Sequence, residues 1–152
     1  MKAVLQRVKK SEVKVDGDIV GKCGEGLMIL LGVAVGDTEA DADALAAKIL
    51  KLRIFEDENG KMNRSIMDIG GEALVVSQFT LLANYKSGNR PDYLASEKPD
   101  RANALYEYFS GLLRGSLSRV GNGVFGADME VIIVNDGPVT IVMDSADLKK
   151  SR

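Results

Sequence analysis

Two short segments place polar residues inside strongly apolar sequence. The first, Ser77–Thr80 (SQFT), lies between Leu74–Val76 and Leu81-Leu82. Buried hydroxyl and amide groups need hydrogen-bond partners, at a cost of about 1 to 3 kcal/mol when they lack one. One interpretation is a cleft built on a strand, in which hydroxyls and backbone N–H groups face a ligand oxygen. The other is a strand that leaves the core, with Gln78 in solvent.

The second segment, Asn135–Pro138 (NDGP), separates two runs of branched apolar residues. Asp-Gly favours a two-residue hairpin turn, but the residue that follows must donate an N–H, and Pro138 has none. A cis Gly137–Pro138 bond would fit a sharp reversal, although only about 5 to 6% of X-Pro bonds are cis. The alternative is a surface turn whose proline opens an edge strand. If the segment protrudes, its backbone carbonyls would present a fixed wall to a ligand.

Missing residue types exclude several mechanisms. The chain has no His, so it cannot supply a Ser-His-Asp or Cys-His relay or a His-containing zinc site. Cys23 is the single cysteine and has only Lys22 as a basic neighbour in sequence. A free cysteine usually packs as a small apolar residue, which is the interpretation that we favour for Cys23.

Charge and hydropathy limit the partners of the chain. The 152 residues carry 20 Lys and Arg against 22 Asp and Glu, which argues against a broad phosphate-binding face. A nucleic-acid partner would have to be bound locally. The longest apolar run, residues 27–35, is shorter than the roughly 20 residues of a membrane span. Gln6 and Arg7 interrupt the first apolar stretch too early for a secretory signal, so we expect a cytoplasmic protein without a membrane partner.

The elements that would position these segments follow from periodicity. Strands are predicted at residues 2–9, 13–15 and 19, 27–33, 73–82, 129–134 and 139–143, and helices at 38–52 and 100–113. The run 27–33 is apolar enough to lie centrally in the sheet. The pattern predicts one α+β domain over residues 1–152, with about seven strands in a mainly antiparallel sheet, two helices and a frayed polar tail at 145–152.

A long loop is predicted between Asn84 and Pro99. Loops of this length inside a compact domain are usually functional. Aromatic and basic residues cluster in and beside it, where they could contact phosphates or simply be solvated: Tyr85, Lys86, Arg90, Lys98 and Arg101.

The two polar segments, extended to Ser77–Leu81 and Asn135–Thr140, resemble the two signature motifs of the D-aminoacyl-tRNA deacylase (DTD) family. The resemblance covers about residues 1–145. It extends, in the same order, to further stretches of the chain: Gln6–Val8, Gly36–Thr38, Leu52–Asp57, Lys61–Asn63 and Phe125–Met129.

This resemblance implies a DTD-like fold, in which a barrel-like sheet is covered by two helices. It also implies hydrolysis of the ester between a D-amino acid and the 3′-terminal adenosine of tRNA, without cofactor or metal and with help from the RNA's own 2′-hydroxyl. The resemblance further implies a homodimer in which a Gly-cisPro motif, here Gly137-Pro138, enters the active site of the partner subunit. Such a wall would reject L residues and could not exclude glycine, including glycine mischarged on tRNA(Ala).

Roles for single residues follow from the same resemblance. Ser77, Gln78 and Thr80 would orient groups, while the N–H groups of Phe79 and Thr80 hold the ester carbonyl oxygen. The remaining substrate-binding residues would be Asn135, Arg7, which donates to the Gly-Pro carbonyls, and Met129, which lines the adenosine pocket or packs in the core.

Two alternatives remain open from the residues. Thr80 could be the nucleophile of a small-ester hydrolase, although it lacks an evident base. The chain could also be a non-catalytic dimeric module that binds RNA ends.

Overall fold

The computed structural model describes residues 1–149, so the end of the predicted polar tail, residues 150–152, lies outside the described residues. The described chain contains eight strands, three α-helices and one 3-10 helix. The strands are β1 (Lys2–Val15), β2 (Asp18–Cys23), β3 (Gly26–Gly32), β4 (Phe55–Glu56), β5 (Met62–Arg64), β6 (Glu72–Ser77), β7 (Val120–Asn122) and β8 (Glu130–Asp144). The helices are α1 (Glu39–Lys51), the 3-10 helix Phe79–Leu82, α2 (Pro99–Arg114) and α3 (Ser145–Lys149).

The long strand β1 organises the sheet. One edge of β1 pairs antiparallel with β3 along its first half and with β2 along its second half, and β8 pairs antiparallel along its other edge. β6 runs parallel to β3, and β7 runs parallel to β6. β2 approaches β7 so closely that a side chain at Gly21 would collide with the carbonyl of Asn122. The predicted α+β fold, with a mainly antiparallel, barrel-like sheet and β3 at its centre, is confirmed.

Two apolar clusters lie on the two faces of the sheet. The larger cluster packs α1 and α2 against β1, β3 and β6, with Phe109, Leu45 and Ile29 among its fully buried side chains. Tyr106 of α2 donates a hydrogen bond to the carbonyl of Val75 in β6, at 2.6 Å. The smaller cluster comprises Val8, Val13, Cys23, Met28, Leu74 and Val76. The two predicted helices therefore cover one face of the sheet, as expected.

The predicted strand 73–82 is wrong beyond Ser77. The N–H of Gln78 donates to the carbonyl of Leu31, and the chain then turns into the 3-10 helix, in which the N–H of Leu81 donates to the carbonyl of Gln78. The alternation of faces that a strand would give Ser77 and Thr80 therefore does not apply. Leu81 and Leu82 suggested a continuing strand because an apolar run does not distinguish a strand from a short buried turn.

Two other predictions about element ends are also wrong. The segment 135–138 does not divide the last strands, because β8 is continuous from Glu130 to Asp144. The tail is not frayed over residues 145–149, which form α3. The Ser145 hydroxyl donates to the Asp41 carboxylate at 2.9 Å, and the Lys149 ammonium lies 2.8 Å from the same carboxylate. In the described part of the chain, no helix is long and apolar enough to cross a membrane.

Candidate active site

A cavity of about 690 Å³ opens where β6 ends. One wall is formed by the end of β6 and the turn that follows it, a second by the loop before α2, and a third by the segment that leads into β8. The residues around it are mostly apolar or uncharged, with three charged side chains at positions 97, 98 and 128. A cavity of this size is typical of a site for a small organic ligand or a nucleoside.

The turn at the end of β6, residues Ser77–Thr80, is called the cavity turn below. Ser77, Gln78 and Phe79 all line the cavity, whereas Thr80 is exposed and does not line it. The Gln78 side-chain amide donates to the Thr80 hydroxyl oxygen, at 2.5 Å. The structure thus brings three of the four predicted residues to the cavity, and the catalytic roles of all four remain a prediction.

The 3-10 helix leaves main-chain donors at its own first residues, which are the last two residues of the cavity turn. Its later N–H groups are used, since Leu81 donates to the carbonyl of Gln78 and Ala83 to that of Thr80. The first N–H groups of a helical turn have no acceptor inside that turn. The amides of Phe79 and Thr80 are therefore open to an acceptor from outside the turn.

Aromatic rings form the wall beside the cavity turn. Phe79 is 54% exposed, and its ring meets that of Tyr93 edge to face, with centroids 5.0 Å apart. Phe125 lines the opposite side, and its ring lies 6.1 Å from that of Tyr106. Sequence reasoning did not single out Tyr93 or Phe125 as site residues, because an aromatic residue in a loop carries no periodic signal.

Met129 combines the two alternatives that the sequence left open. Its side chain lines the cavity and is half-buried. Together with Val131 it also packs against the smaller apolar cluster around Met28. Its place between core and cavity suits an apolar ligand surface such as a nucleobase, a role that remains a prediction.

The charged rim of the cavity comes from the long loop. Lys98 and Glu97 line the cavity, and the Lys98 backbone N–H donates to the Glu97 carboxylate and lowers its pKa, so that this group is ionised at neutral pH. Arg101 pairs with Glu97 at 3.3 Å and donates to the Asp37 carbonyl. The other predicted phosphate contacts in this loop, Tyr85, Lys86 and Arg90, are exposed.

The second motif forms a bulge on the edge of β8. Gln6 pairs with Thr140 and Val8 with Asn135, so four residues of β8, Asp136–Val139, lie opposite the single residue Arg7. These four residues are called the protruding segment below. The Gly137–Pro138 peptide bond is cis, and both residues are exposed.

Glycine is required at the centre of the protruding segment. Gly137 has φ = 127°, which side chains rarely allow. A Cβ at this position would also lie 2.9 Å from the Val139 side chain and 3.2 Å from the Arg7 guanidinium.

Arg7 lies beneath the protruding segment and is only 5% exposed, so it is not a solvated strand charge. Its Nε donates to the Asp136 carbonyl at 3.1 Å and its Nη1 to the Ile54 carbonyl at 2.8 Å. The carboxylates of Asp136 and Glu56 lie 3.6 and 3.9 Å from the guanidinium. The acceptor in the segment is thus one residue before Gly137, whereas the sequence prediction named the Gly137 and Pro138 carbonyls.

The two motifs do not meet within one chain. None of Arg7, Asn135, Gly137 and Pro138 lines the cavity that the cavity turn bounds. The Asn135 side chain instead donates to Gln6, at 2.7 Å.

The Cys23 thiol does not line the cavity. Cys23 is buried, as expected, and burial raises the pKa of its thiol to about 12. Among residues 1–149, no group of three or more Cys, Asp or Glu side chains is arranged to hold a metal ion.

The fold and the cavity define a small α+β barrel-like protein whose cavity combines a strand end, polar side chains and main-chain amides with aromatic walls and a charged rim. The chain belongs to the D-Tyr-tRNA(Tyr) deacylase family, whose model matches residues 4–144. A D-aminoacyl-tRNA deacylase of Aquifex aeolicus (strain VF5) is 56% identical over 148 residues, covering 97% of this chain and all of the relative. Another of that name, from Thermus aquaticus, is 51% identical over 152 residues, covering both chains fully.

Two solved structures share this fold. A c-Myc DNA unwinding element binding protein is 42% identical, with a TM-score of 0.90 over 95% of this chain and 98% of its own. A probable eukaryotic D-amino acid tRNA deacylase has a TM-score of 0.80 over 94% of this chain and 98% of its own. It is 18% identical, so this likeness concerns the fold alone.

Proposed function

We propose that the protein hydrolyses the ester bond between a D-amino acid and the 3′-terminal adenosine of tRNA, releasing the D-amino acid and free tRNA. The observation that carries this proposal is the cavity of about 690 Å³ at the end of β6, in a chain of the deacylase family. The adenosine would lie against Met129 and Phe125, and the ester would lie at the cavity turn.

The chemistry that these groups support is positioning and charge stabilisation. An aminoacyl ester is already activated, so an enzyme without a histidine relay can accelerate its hydrolysis by orienting it and stabilising the oxyanion. The amides of Phe79 and Thr80 would hold the carbonyl oxygen, while Ser77 and Gln78 orient the substrate. The 2′-hydroxyl of the terminal ribose would assist the attack of water on the carbonyl carbon of the ester.

Selectivity would come from rejection of the wrong enantiomer by a second subunit. In the proposed homodimer, the protruding segment of one chain enters the cavity of the other. The exposure of Gly137 and Pro138, together with their separation from the cavity of their own chain, supports this arrangement. Main-chain carbonyls beside the Cα of the substrate would leave room for the side chain of one enantiomer only.

A filter of this kind would not exclude glycine. Since glycine has no side chain to collide with the wall, glycyl-tRNA, including glycine mischarged on tRNA(Ala), would also be hydrolysed. The protein would thus proofread charged tRNA in the cytoplasm. The exposed cations Lys86, Arg90 and Lys98 would contact the acceptor end locally, which is compatible with an overall charge of −2.

The deciding experiment compares D-Tyr-tRNA with L-Tyr-tRNA, and then repeats the D substrate with a terminal 2′-deoxyadenosine. We expect release from the D substrate alone, and a loss of roughly 10²- to 10⁴-fold with the deoxy substrate, as when a positioned proton-transfer group is removed. Equal rates on both enantiomers would contradict the chiral filter. Full activity on the deoxy substrate would contradict assistance by the RNA.

Hydrolysis with Thr80 as the nucleophile is the less favoured alternative. Its hydroxyl oxygen accepts a hydrogen bond from Gln78, and no carboxylate or amine among the described residues is hydrogen-bonded to it. A nucleophilic hydroxyl needs an adjacent base. Binding of RNA ends without turnover is the other alternative, and the absence of release from D-Tyr-tRNA would favour it.

A further inference from the structure

Gln6, a residue with no role assigned so far, contacts Asn135 and Thr140, the two residues that flank the protruding segment and are called its neck below. In the pairing with β1, Thr140 lies across from Gln6 and Asn135 across from Val8. The Gln6 side-chain carbonyl oxygen accepts a hydrogen bond from the Asn135 side-chain amide at 2.7 Å and another from the Thr140 hydroxyl at 2.5 Å. One oxygen atom thus joins the two ends of the segment.

The backbone ladder pairs each end of the segment with β1, Thr140 with Gln6 and Asn135 with Val8, but it does not join the two ends to each other. The register between β1 and β8 shifts between Gln6 and Val8 and again between Val8 and Lys10. Within this irregular stretch, the side-chain contacts of Gln6 connect Asn135 to Thr140.

Gln6 and Arg7 act from opposite faces of β1. Successive side chains of a strand point to opposite faces. Arg7 contacts the Asp136 carbonyl and carboxylate inside the segment, whereas Gln6 contacts residues on either side of it. The segment is consequently fixed both in its position above the sheet and in the separation of its ends.

We propose that Gln6 is a positioning residue for chiral discrimination, acting through Asn135 and Thr140 on the Gly137-Pro138 wall. This inference rests on the proposed function, in which the protruding segment excludes L residues. It also accounts for the two polar ends of the second motif, since both donate to the same acceptor. Without that acceptor the ends can separate, and the wall can yield to an L side chain.

The test measures kcat/KM for D-Tyr-tRNA and L-Tyr-tRNA in wild type, Gln6→Ala, Gln6→Glu and Lys2→Ala. Lys2 lies on the same face of β1 but pairs with Asp144, far from the neck, which makes Lys2→Ala the matched control. We expect Gln6→Ala to lower the D/L ratio by about tenfold, mainly by raising the rate on the L substrate, because two hydrogen bonds are lost. Gln6→Glu keeps an acceptor for both donors and should retain the ratio, as should Lys2→Ala.

Three kinetic outcomes would overturn the proposal. The first is an unchanged D/L ratio in Gln6→Ala. The second is an equal loss of kcat/KM on both substrates in Gln6→Ala, which indicates a general structural role. The third is a Gln6→Glu variant that is as unselective as Gln6→Ala.

Hydrogen–deuterium exchange separates this inference from the proposed function. In Gln6→Ala, exchange should accelerate in a peptide covering residues 133–141 and stay unchanged in β6. If the exchange accelerates but the wild type does not discriminate between enantiomers, the proposed function fails while Gln6 remains the residue that holds the segment. If the exchange is unchanged, the role of Gln6 is refuted.

Discussion

The cavity turn and the protruding segment are both polar interruptions of apolar strands, yet the structure treats them differently. At the cavity turn the strand ends, and the chain leaves with the amides of Phe79 and Thr80 open and with uncharged side chains in the turn itself. At the protruding segment the strand resumes, because the buried Arg7 and the paired ends hold the bulge in place. The first arrangement suits groups that must meet a ligand, and the second suits a wall that must not move.

The largest effect should come from filling the cavity. Ala127 is half-buried and lines it, so Ala127→Trp would occupy the space proposed for the adenosine. We expect hydrolysis of D-Tyr-tRNA to fall by about 10²-fold or more, because misplacement of a substrate by about 1 Å costs this much. Ala40→Trp, on the exposed surface of α1, is the control. Near-normal activity of Ala127→Trp would show that the ligand binds elsewhere.

A smaller effect is expected beneath the protruding segment. Arg7→Lys keeps the charge but loses the planar donor fork that reaches both Ile54 and Asp136. Unpaired buried acceptors should lower the free energy of unfolding by about 1 to 3 kcal/mol, and the D/L ratio should fall by about tenfold.

The control for this variant is Arg64→Lys, which alters an exposed pair with Glu58 that is worth about 0 to 1 kcal/mol. Denaturant unfolding and kinetics on both enantiomers provide the measurements. An Arg7→Lys protein as stable and as selective as the wild type would remove the distinction between the two regions.

At the cavity turn, a single hydroxyl should matter less. Thr80→Val keeps the shape of the side chain and removes the acceptor for Gln78. If Thr80 orients its neighbours, kcat should fall by about tenfold or less, the value of one neutral hydrogen bond. If Thr80 were the nucleophile, the loss should reach about 10⁴- to 10⁶-fold, as for the catalytic residues of a serine protease. Single-turnover kinetics distinguish the two outcomes.

The smallest effect on activity is expected at Asp41, which belongs to neither region. Burial opposes its charge, but hydrogen bonds from Lys149, Thr38 and Ser145 outweigh this and lower its pKa to about 2. Because the unfolded pKa is about 3.9, the carboxylate stabilises the fold by about 2 kcal/mol above that pH, and this contribution is lost as the pH falls towards 2.

Asp41→Asn should therefore be less stable than the wild type at pH 7, and the difference should shrink towards pH 2. Deacylation at neutral pH should be unchanged. Urea unfolding of both proteins at pH 7, 4 and 2.5 measures the difference in their free energies of unfolding. A stability gap that does not depend on pH would contradict the assignment.

Much of the fold could be predicted from periodicity. The central strand β3 and the helix α1 lie where their apolar patterns predicted them. A strand buried on both faces gives a continuous apolar run, and a helix buried along one stripe gives apolar residues with helical spacing. The end of β6 could not be predicted, since Leu81 and Leu82 continue the apolar run through the turn. The helix α3 was missed because its stability comes from tertiary contacts to Asp41 rather than from a periodic face.

The site could be predicted only in part. The polar residues of both motifs stood out against their apolar neighbours, so both segments could be named as candidates from the sequence; Ser77 lines the cavity, whereas the role of Pro138 remains a prediction. Tyr93 and Phe125 were missed, because their proximity to the cavity is set by loop packing. The role of Gln6 was invisible for a similar reason, since its partners are more than one hundred residues away in the chain.

The central claim is that each site combines the cavity of one chain with the protruding segment of another. Hybrid dimers of Arg7→Lys and Ala127→Trp chains, isolated with two different tags, test it most directly. The only working cavity then belongs to the Arg7→Lys chain and receives the intact segment of the Ala127→Trp chain. The account predicts that the hybrid regains the D/L ratio of the wild type, whereas a hybrid as unselective as the Arg7→Lys dimer would contradict it.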